Sequence, residues 1–262
     1  MTVVLIMVDG LRPDALPLVN VPRIEALMKR GSYSLRARSV TPSITLPCHV
    51  SIFHSVPPQR HGIVANLWQP MARPLPGLIE QAKLADRHSY FIHNWEPLRD
   101  LNRPEMLEFS LYRNNCYTRD GDLVIAESAA RILAADRPDF AFVYLGTVDV
   151  AGHQYGWMSD DYLRQIEHVD YGVGMVLTAL TADDTVLLQS DHGGHDRTHG
   201  TDIPEDMLIP WIIAGPGIRK GHEVSVDISL LDTAPTLARI LQINAHPQWE
   251  GRCVAEVFEA WE

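Results

Sequence analysis

Four short apolar runs rich in β-branched residues stop abruptly at polar residues, with helix-period segments between them, and this alternation restricts the fold more than any other feature of the chain. The runs are Val3–Val8, Phe140–Leu145, Thr185–Gln189 and Ile209–Ile213. Such runs mark strands buried on both faces. Residues Val21–Arg30, Leu78–Ala85, Gly121–Ala135 and Asp160–Thr181 instead carry apolar side chains at intervals of three and four, which predicts helices laid on a sheet. In the last of these, Leu163, Ile166, Val169, Val173, Val176, Leu177 and Leu180 form one stripe. A further helix is expected after Asp227, where Leu230, Leu231, Ala234, Leu237 and Ile240 continue the period. The expected fold class is α/β, a three-layer α/β/α sandwich around a mostly parallel central sheet.

Sheets of this kind bind ligands beyond the carboxyl ends of their strands. The polar residues that follow the runs should therefore share one rim: Asp9, then Thr147 with Asp149, then Ser190 with Asp191 and His192. No linker-like stretch divides the 262 residues, so one domain is expected over 1–262, with an irregular excursion near 94–120 that could wall a substrate site.

The net charge of −11 opposes binding to long nucleic acids, whose affinity rests on a basic surface. It does not oppose a small phosphorylated substrate if cations gather at one place. No apolar run approaches the ~18 to 20 residues needed to span a bilayer. The first run has no basic leader and ends at Asp9, so neither a membrane segment nor a cleaved signal is expected. Cys48, Cys116 and Cys253 form neither a paired framework nor a metal-binding CxxC, which fits free thiols and a cytoplasmic location. Nothing in the sequence reads out an oligomeric state.

Chemistry gathers in three groups along the rim. Asp149 and His153 lie four residues apart, with Gly152 allowing a tight turn between them. Asp191-His192-Gly193-Gly194 follows a strand, and His199 comes one short loop later. Asp9-Gly10 follows the first strand. Three carboxylates and three imidazoles suffice for two zinc-like sites with open positions. Each group also has a plainer reading. Asp9-Gly10 makes a turn, Asp149 caps a helix, His153 faces solvent, and Asp191-His192 belongs to an ordinary loop. A hydroxyl nucleophile is offered by Thr45, which precedes Pro47 at the start of an expected helix. Thr45 could equally be only a helix cap, and Ser43 and Thr41 compete with it.

Taken in order, Val8-Asp9-Gly10-Leu-Arg12-Pro-Asp14, Thr45-Leu-Pro47-Cys-His49, His61-Gly62-Ile63-Val-Ala-Asn66, Asp149 with Gly152-His153, Ser190-Asp191-His192-Gly193 and His199-Gly200 resemble the alkaline phosphatase superfamily, most closely its nucleotide pyrophosphatase/phosphodiesterase branch. The resemblance implies an alkaline-phosphatase-like fold and two divalent metal ions, zinc by preference, with manganese or iron as alternatives. One ion would be held by Asp9, Asp191 and His192 against Thr45, the other by Asp149, His153 and His199. Thr45 would form a covalent phosphothreonine, while Asn66 and the backbone N–H of Leu46 would donate to the phosphoryl oxygens. The implied activity is hydrolysis of phosphate diesters or pyrophosphate bonds.

The chain departs from that branch at Leu46, where an aromatic residue able to stack a nucleobase is usual, and at Cys48, where asparagine is usual. His195 is a possible substitute for His199, although a supporting or solvent-facing place is expected for it. His54 and His61 are expected in packing or surface roles. Rival readings are a phosphomonoesterase, phosphonate hydrolase or sulfatase on the same scaffold, or a non-catalytic phosphate-binding protein. Asn66 in place of an arginine favours a singly charged diester over a monoester dianion.

Overall fold

Strands β1 (Val3–Val8), β2 (Ser32–Arg38), β3 (Ser89–His93), β4 (Phe109–Tyr112), β5 (Phe140–Leu145), β6 (Thr185–Gln189), β7 (Leu208–Ala214) and β8 (His222–Glu223) form one sheet in the order β4-β3-β5-β1-β6-β7-β2-β8. The structure is a computed structural model that describes residues 1–101 and 105–259. Within the sheet only β7 runs against its neighbours, pairing antiparallel with β6 and β2. Helices α1 (Pro22–Arg30), α2 (Thr45–His54), α3 (Pro58–His61), α4 (Leu78–Leu84), α5 (Gly121–Asp136), α6 (Thr147–Tyr155), α7 (Asp160–Thr178), α8 (Pro204–Met207) and α9 (Thr233–Leu241) complete the described elements, with short 3-10 turns between them.

The side chains of β1 alternate between two cores. Val3, Leu5 and Met7 pack with Phe53 of α2, Leu78 of α4 and Leu237 of α9. Val4, Ile6 and Val8 pack with Ile24 of α1, Ile125 of α5 and Val173 of α7 on the opposite face. Burial of alternate residues on opposite sides explains why the run is apolar throughout, and it makes the fold the expected three-layer sandwich.

The segment near 94–120 is more regular than expected. Its residues 102–104 lie outside the described part, but Glu96–Leu101 forms a 3-10 turn and Phe109–Tyr112 joins the sheet as the edge strand β4. This strand buries only part of its surface, so its sequence carries no continuous apolar signal.

Gly152 also differs from expectation, since it lies inside α6 and makes no turn. A Cβ there would come within 2.5 Å of the Trp157 indole, which also fills the space beside Gly194 and donates from Nε1 to the Gly10 carbonyl at 2.9 Å. One ring therefore packs against the segments that follow β1, β5 and β6. Gly152→Ala should overpack this junction and lower stability by about 1–3 kcal/mol. Urea unfolding of the two proteins measures the difference.

Candidate active site

Strands β1, β5 and β6 are parallel neighbours, so their carboxyl ends open on one rim. Asp9 follows β1, and its N–H still donates to the Leu145 carbonyl of β5 at 3.0 Å. Gly10 then turns the chain at φ +71°, and a Cβ at this position would come 2.9 Å from the Asp149 Cα. The turn is real, and it is also what lets Asp149 approach Asp9. Asp149 and His153 lie one turn apart on α6, which places them on one face, with His153 Nε2 3.6 Å from Asp149 Oδ1.

Three imidazoles are oriented in the same way. His192 Nδ1 donates to the Gly193 carbonyl at 2.8 Å, His153 Nδ1 to Arg197 at 2.9 Å, and His199 Nδ1 to Ser43 at 2.7 Å. A carbonyl only accepts, so each ring carries a proton on Nδ1 and directs Nε2 into the site. His199 Nε2 lies 3.2 Å from His153 Nε2 and 3.7 Å from Asp149 Oδ1. His192 Nε2 lies 3.3 Å from Asp9 Oδ1 and 3.4 Å from Asp191 Oδ2.

Two sets of ligand atoms lie within 4.8 Å of one another, namely Asp149 with His153 and His199, and Asp9 with Asp149 and His192. Asp149 belongs to both. Asp191 stands beside the second set; its Oδ1 faces the Gly10 N–H at 3.4 Å, and its Oδ2 faces His192 and, at 3.6 Å, His49. Asp9 Oδ1, Asp149 Oδ1 and Asp191 Oδ2 are buried without a hydrogen-bond donor. Burial first, and then the neighbouring carboxylates, hold the Asp9 and Asp149 pKa well above the usual range, and burial raises that of Asp191. Burial also lowers His192 to about 4 and His199 to about 3, so both rings are neutral at neutral pH. Buried, clustered carboxylates and neutral imidazoles with free lone pairs form a donor set suited to divalent cations.

Thr45 opens α2 at its first helical position, and the residue that caps the helix is Ile44. The Thr45 hydroxyl lies 3.2 Å from His192 Nε2, at the rim. Its competitors point elsewhere: Ser43 Oγ donates to the Thr201 carbonyl at 2.7 Å, and Thr41 Oγ1 lies 3.8 Å from the Met207 sulfur. The Leu46 N–H, expected to face substrate, instead donates to Asn66 Oδ1 at 2.9 Å. That bond engages the Leu46 donor in this structure and directs the Asn66 Nδ2 end of the amide away from it. Asp9, Thr45, Asn66, Asp149, His153 and His199 line one cleft of about 380 Å³, and among the described residues no Lys or Arg lines it.

His195 is not among the clustered ligands; its Nδ1 pairs with Asp206 Oδ1 at 2.7 Å. His54 and His61 are buried in the packing, bonded to the Leu75 carbonyl at 2.8 Å and to Ser51 Oγ at 3.0 Å. Several residues of the site were not anticipated. The Tyr144 hydroxyl, at the end of β5, donates to Asp9 Oδ2 and leaves Oδ1 facing His192. Gly146 makes room for that ring, because a Cβ would lie 2.8 Å from Tyr144 Cε1. A phenol within an otherwise apolar buried strand needs a polar partner, and that was the available signal. Trp95, Cys116 and Tyr117 also line the cleft, brought there by loops, and Gln154 reaches it from the last turn of α6.

A mostly parallel α/β/α sandwich with Asp and His residues clustered at its strand ends has the alkaline-phosphatase-like fold. Residues 3–209 match the type I phosphodiesterase / nucleotide pyrophosphatase family, and the chain belongs to that family. Human ectonucleotide pyrophosphatase/phosphodiesterase family member 1 is 25% identical over 212 residues, covering 71% of this chain and 22% of its own length. The chain thus spans less than a quarter of that relative. Among solved structures, human ectonucleotide pyrophosphatase/phosphodiesterase 5 superposes with a TM-score of 0.83 at 16% identity, covering 99% of this chain and 100% of the other. A phosphonate monoester hydrolase from Silicibacter pomeroyi gives a TM-score of 0.76 at 16% identity, covering 96% and 75%. These two likenesses concern the fold.

Proposed function

We propose that the protein hydrolyses phosphate diester or pyrophosphate bonds, with Thr45 as nucleophile and two divalent cations held by Asp9, Asp191 and His192 on the Thr45 side and by Asp149, His153 and His199 on the other. The supporting observation is that Thr45, Asn66, Asp9, Asp149, His153 and His199 share one cleft, lined by no Lys or Arg among the described residues, with His192 clustered beside Asp9 and Asp149. A monoester dianion calls for a fixed cation beside the phosphoryl group, whereas a singly charged diester does not. Bound cations would supply positive charge to the Thr45 oxygen and to the leaving oxygen; His and Asp donors accept zinc, manganese or iron, and zinc is our choice.

Thr45 attacks phosphorus in line and becomes phosphorylated. Asn66, its Oδ1 held by the Leu46 N–H, offers Nδ2 to a nonbridging oxygen. Water then displaces Thr45 from the opposite side and restores its hydroxyl. The name of the human relative supports a nucleotide as substrate. Three free cysteines fit a reducing compartment, which we take to be the cytoplasm. No helix among the described residues is long and apolar enough to cross a membrane.

The test compares bis(p-nitrophenyl) phosphate, p-nitrophenyl phosphate and p-nitrophenyl sulfate. The diester is expected to turn over fastest, and a clear preference for the sulfate would sink the assignment. Tyr144 enters as a positioning residue for Asp9. Tyr144→Phe removes the hydroxyl that holds Oδ2 and should weaken zinc binding by about 10- to 100-fold. Competition against a chromogenic chelator reads this loss independently of turnover.

A further inference from the structure

The metal-ligand cleft does not end at α6. A second cavity of about 300 Å³ continues beyond it, and the two share Cys116, Tyr117, Val150 and Gln154 in their walls. Val150 and Gln154 each follow one of the α6 residues, Asp149 and His153, that would face the leaving oxygen. The groove therefore runs outward from the leaving-group side of the site.

Its charges are unequal. Arg164 is bound to Asp161 at 2.6 Å, so those two wall residues neutralise each other. Arg119, the other arginine of the wall, has an exposed guanidinium with no hydrogen bond or ion pair to any described residue. The adjacent carboxylate, Asp120, is taken by His168 at 2.8 Å. The Arg119 backbone is fixed nonetheless. Its carbonyl accepts from Gln165 Nε2 at 3.0 Å, and the same amide donates to Thr147 Oγ1 of α6 at 2.7 Å, which in turn donates to Asp122 at 2.6 Å. An unneutralised guanidinium is thus mounted on a buried amide bridge, in a chain whose net charge is −11.

We infer that this groove is a leaving-group subsite in which Arg119 binds an anionic phosphate, so that the protein selects phosphoanhydrides that release a phosphate-bearing group over diesters whose leaving group carries no phosphate. The inference rests on the proposed roles of Thr45 and the clustered ligands. In the first step the Thr45 oxygen forms a bond to phosphorus and gives up its proton to solvent. The bond from phosphorus to the bridging oxygen breaks, and that oxygen keeps the electron pair. The departing fragment carries this charge into the groove, where a guanidinium matches phosphate with paired donors.

The experiment uses the metal-loaded protein and its Arg119→Ala and Arg119→Lys variants. Specificity constants are measured for ATP, which releases pyrophosphate, and for bis(p-nitrophenyl) phosphate, which releases a phenolate. Arg119→Ala should lower kcat/KM for ATP by about 10- to 100-fold, chiefly through KM, as expected for losing a hydrogen bond to a charged group, and leave the diester within about twofold. Arg119→Lys should recover part of the loss. Calorimetric binding of α,β-methylene-ATP and of AMP separates the two levels of the argument: weaker binding of the former alone supports the subsite. Equal losses on both substrates, or unchanged ATP kinetics and analogue binding, overturn it. Failure of the unaltered protein to cleave either substrate counts against the catalytic reading instead, and the binding comparison then decides on the groove.

Discussion

Thr45→Ala should leave a folded, metal-loaded protein that does not turn over. The fold does not depend on this hydroxyl, which makes no cap bond to α2 and, among the described residues, hydrogen-bonds to His192 at 3.2 Å. The six proposed ligand side chains are untouched, so metal content by mass spectrometry should match the parent. Losing a nucleophile that acts as a unit with its surroundings lowers kcat by at least ~10³-fold. Thr45→Ser keeps the oxygen and should retain a measurable fraction of the rate. Brief incubation with a diester, followed by acid quench and peptide mass mapping, should find phosphate on Thr45 in the parent and none in the alanine variant. Undiminished turnover by the alanine variant would move the nucleophile elsewhere.

Chelation should have the next largest effect, on stability as well as rate. Asp9, Asp149 and Asp191 have pKa values raised by burial, reinforced at Asp9 and Asp149 by neighbouring carboxylates. A raised carboxylate pKa means that folding favours the protonated form, so this contribution weakens as pH rises and is unfavourable at neutrality. The imidazoles act in the opposite direction. With His192 held near 4 and His199 near 3, the unfolded chain takes up protons that the folded one refuses once pH falls below ~6.5. Cations bound at neutral pH relieve the carboxylates without having to displace protons from these rings. At a free metal level near 1,000 times Kd the stabilisation is about 4 kcal/mol, which corresponds to roughly 10 °C in Tm for a chain of this size. EDTA should remove that increment at pH 8 and remove less of it at pH 5.5, where protons compete for the same oxygens. A thermal melt unaffected by EDTA at both pH values would contradict metal binding at these side chains.

The central strands were legible because a strand covered on both faces has to be apolar throughout, as Val3–Val8 and Phe140–Leu145 are. Strand β2, with Arg36 and Arg38 among its seven residues, and the half-exposed β4 lack that pattern, and their place in the sheet comes from pairing with distant partners. The clustered Asp and His residues were legible for a related reason, since parallel strands deliver their following residues to one edge. Which carboxylate stands nearest which imidazole was not: Asp149 proves common to both clusters. Leu46 shows another limit, because its N–H is engaged by Asn66, twenty positions further along the chain. Gly152 shows a third. Its small size answers to Trp157 packed against α6, a contact that no local turn pattern contains.

The indole of Trp157 acts as a keystone. It bears on Gly152 and Gly194 and holds the Gly10 carbonyl, all of them contacts internal to the polypeptide. The entropy of arranging these three segments is therefore lost when the chain folds, before any ion arrives. Ion uptake then resembles filling a mould, and its rate should follow how fast water leaves the incoming cation.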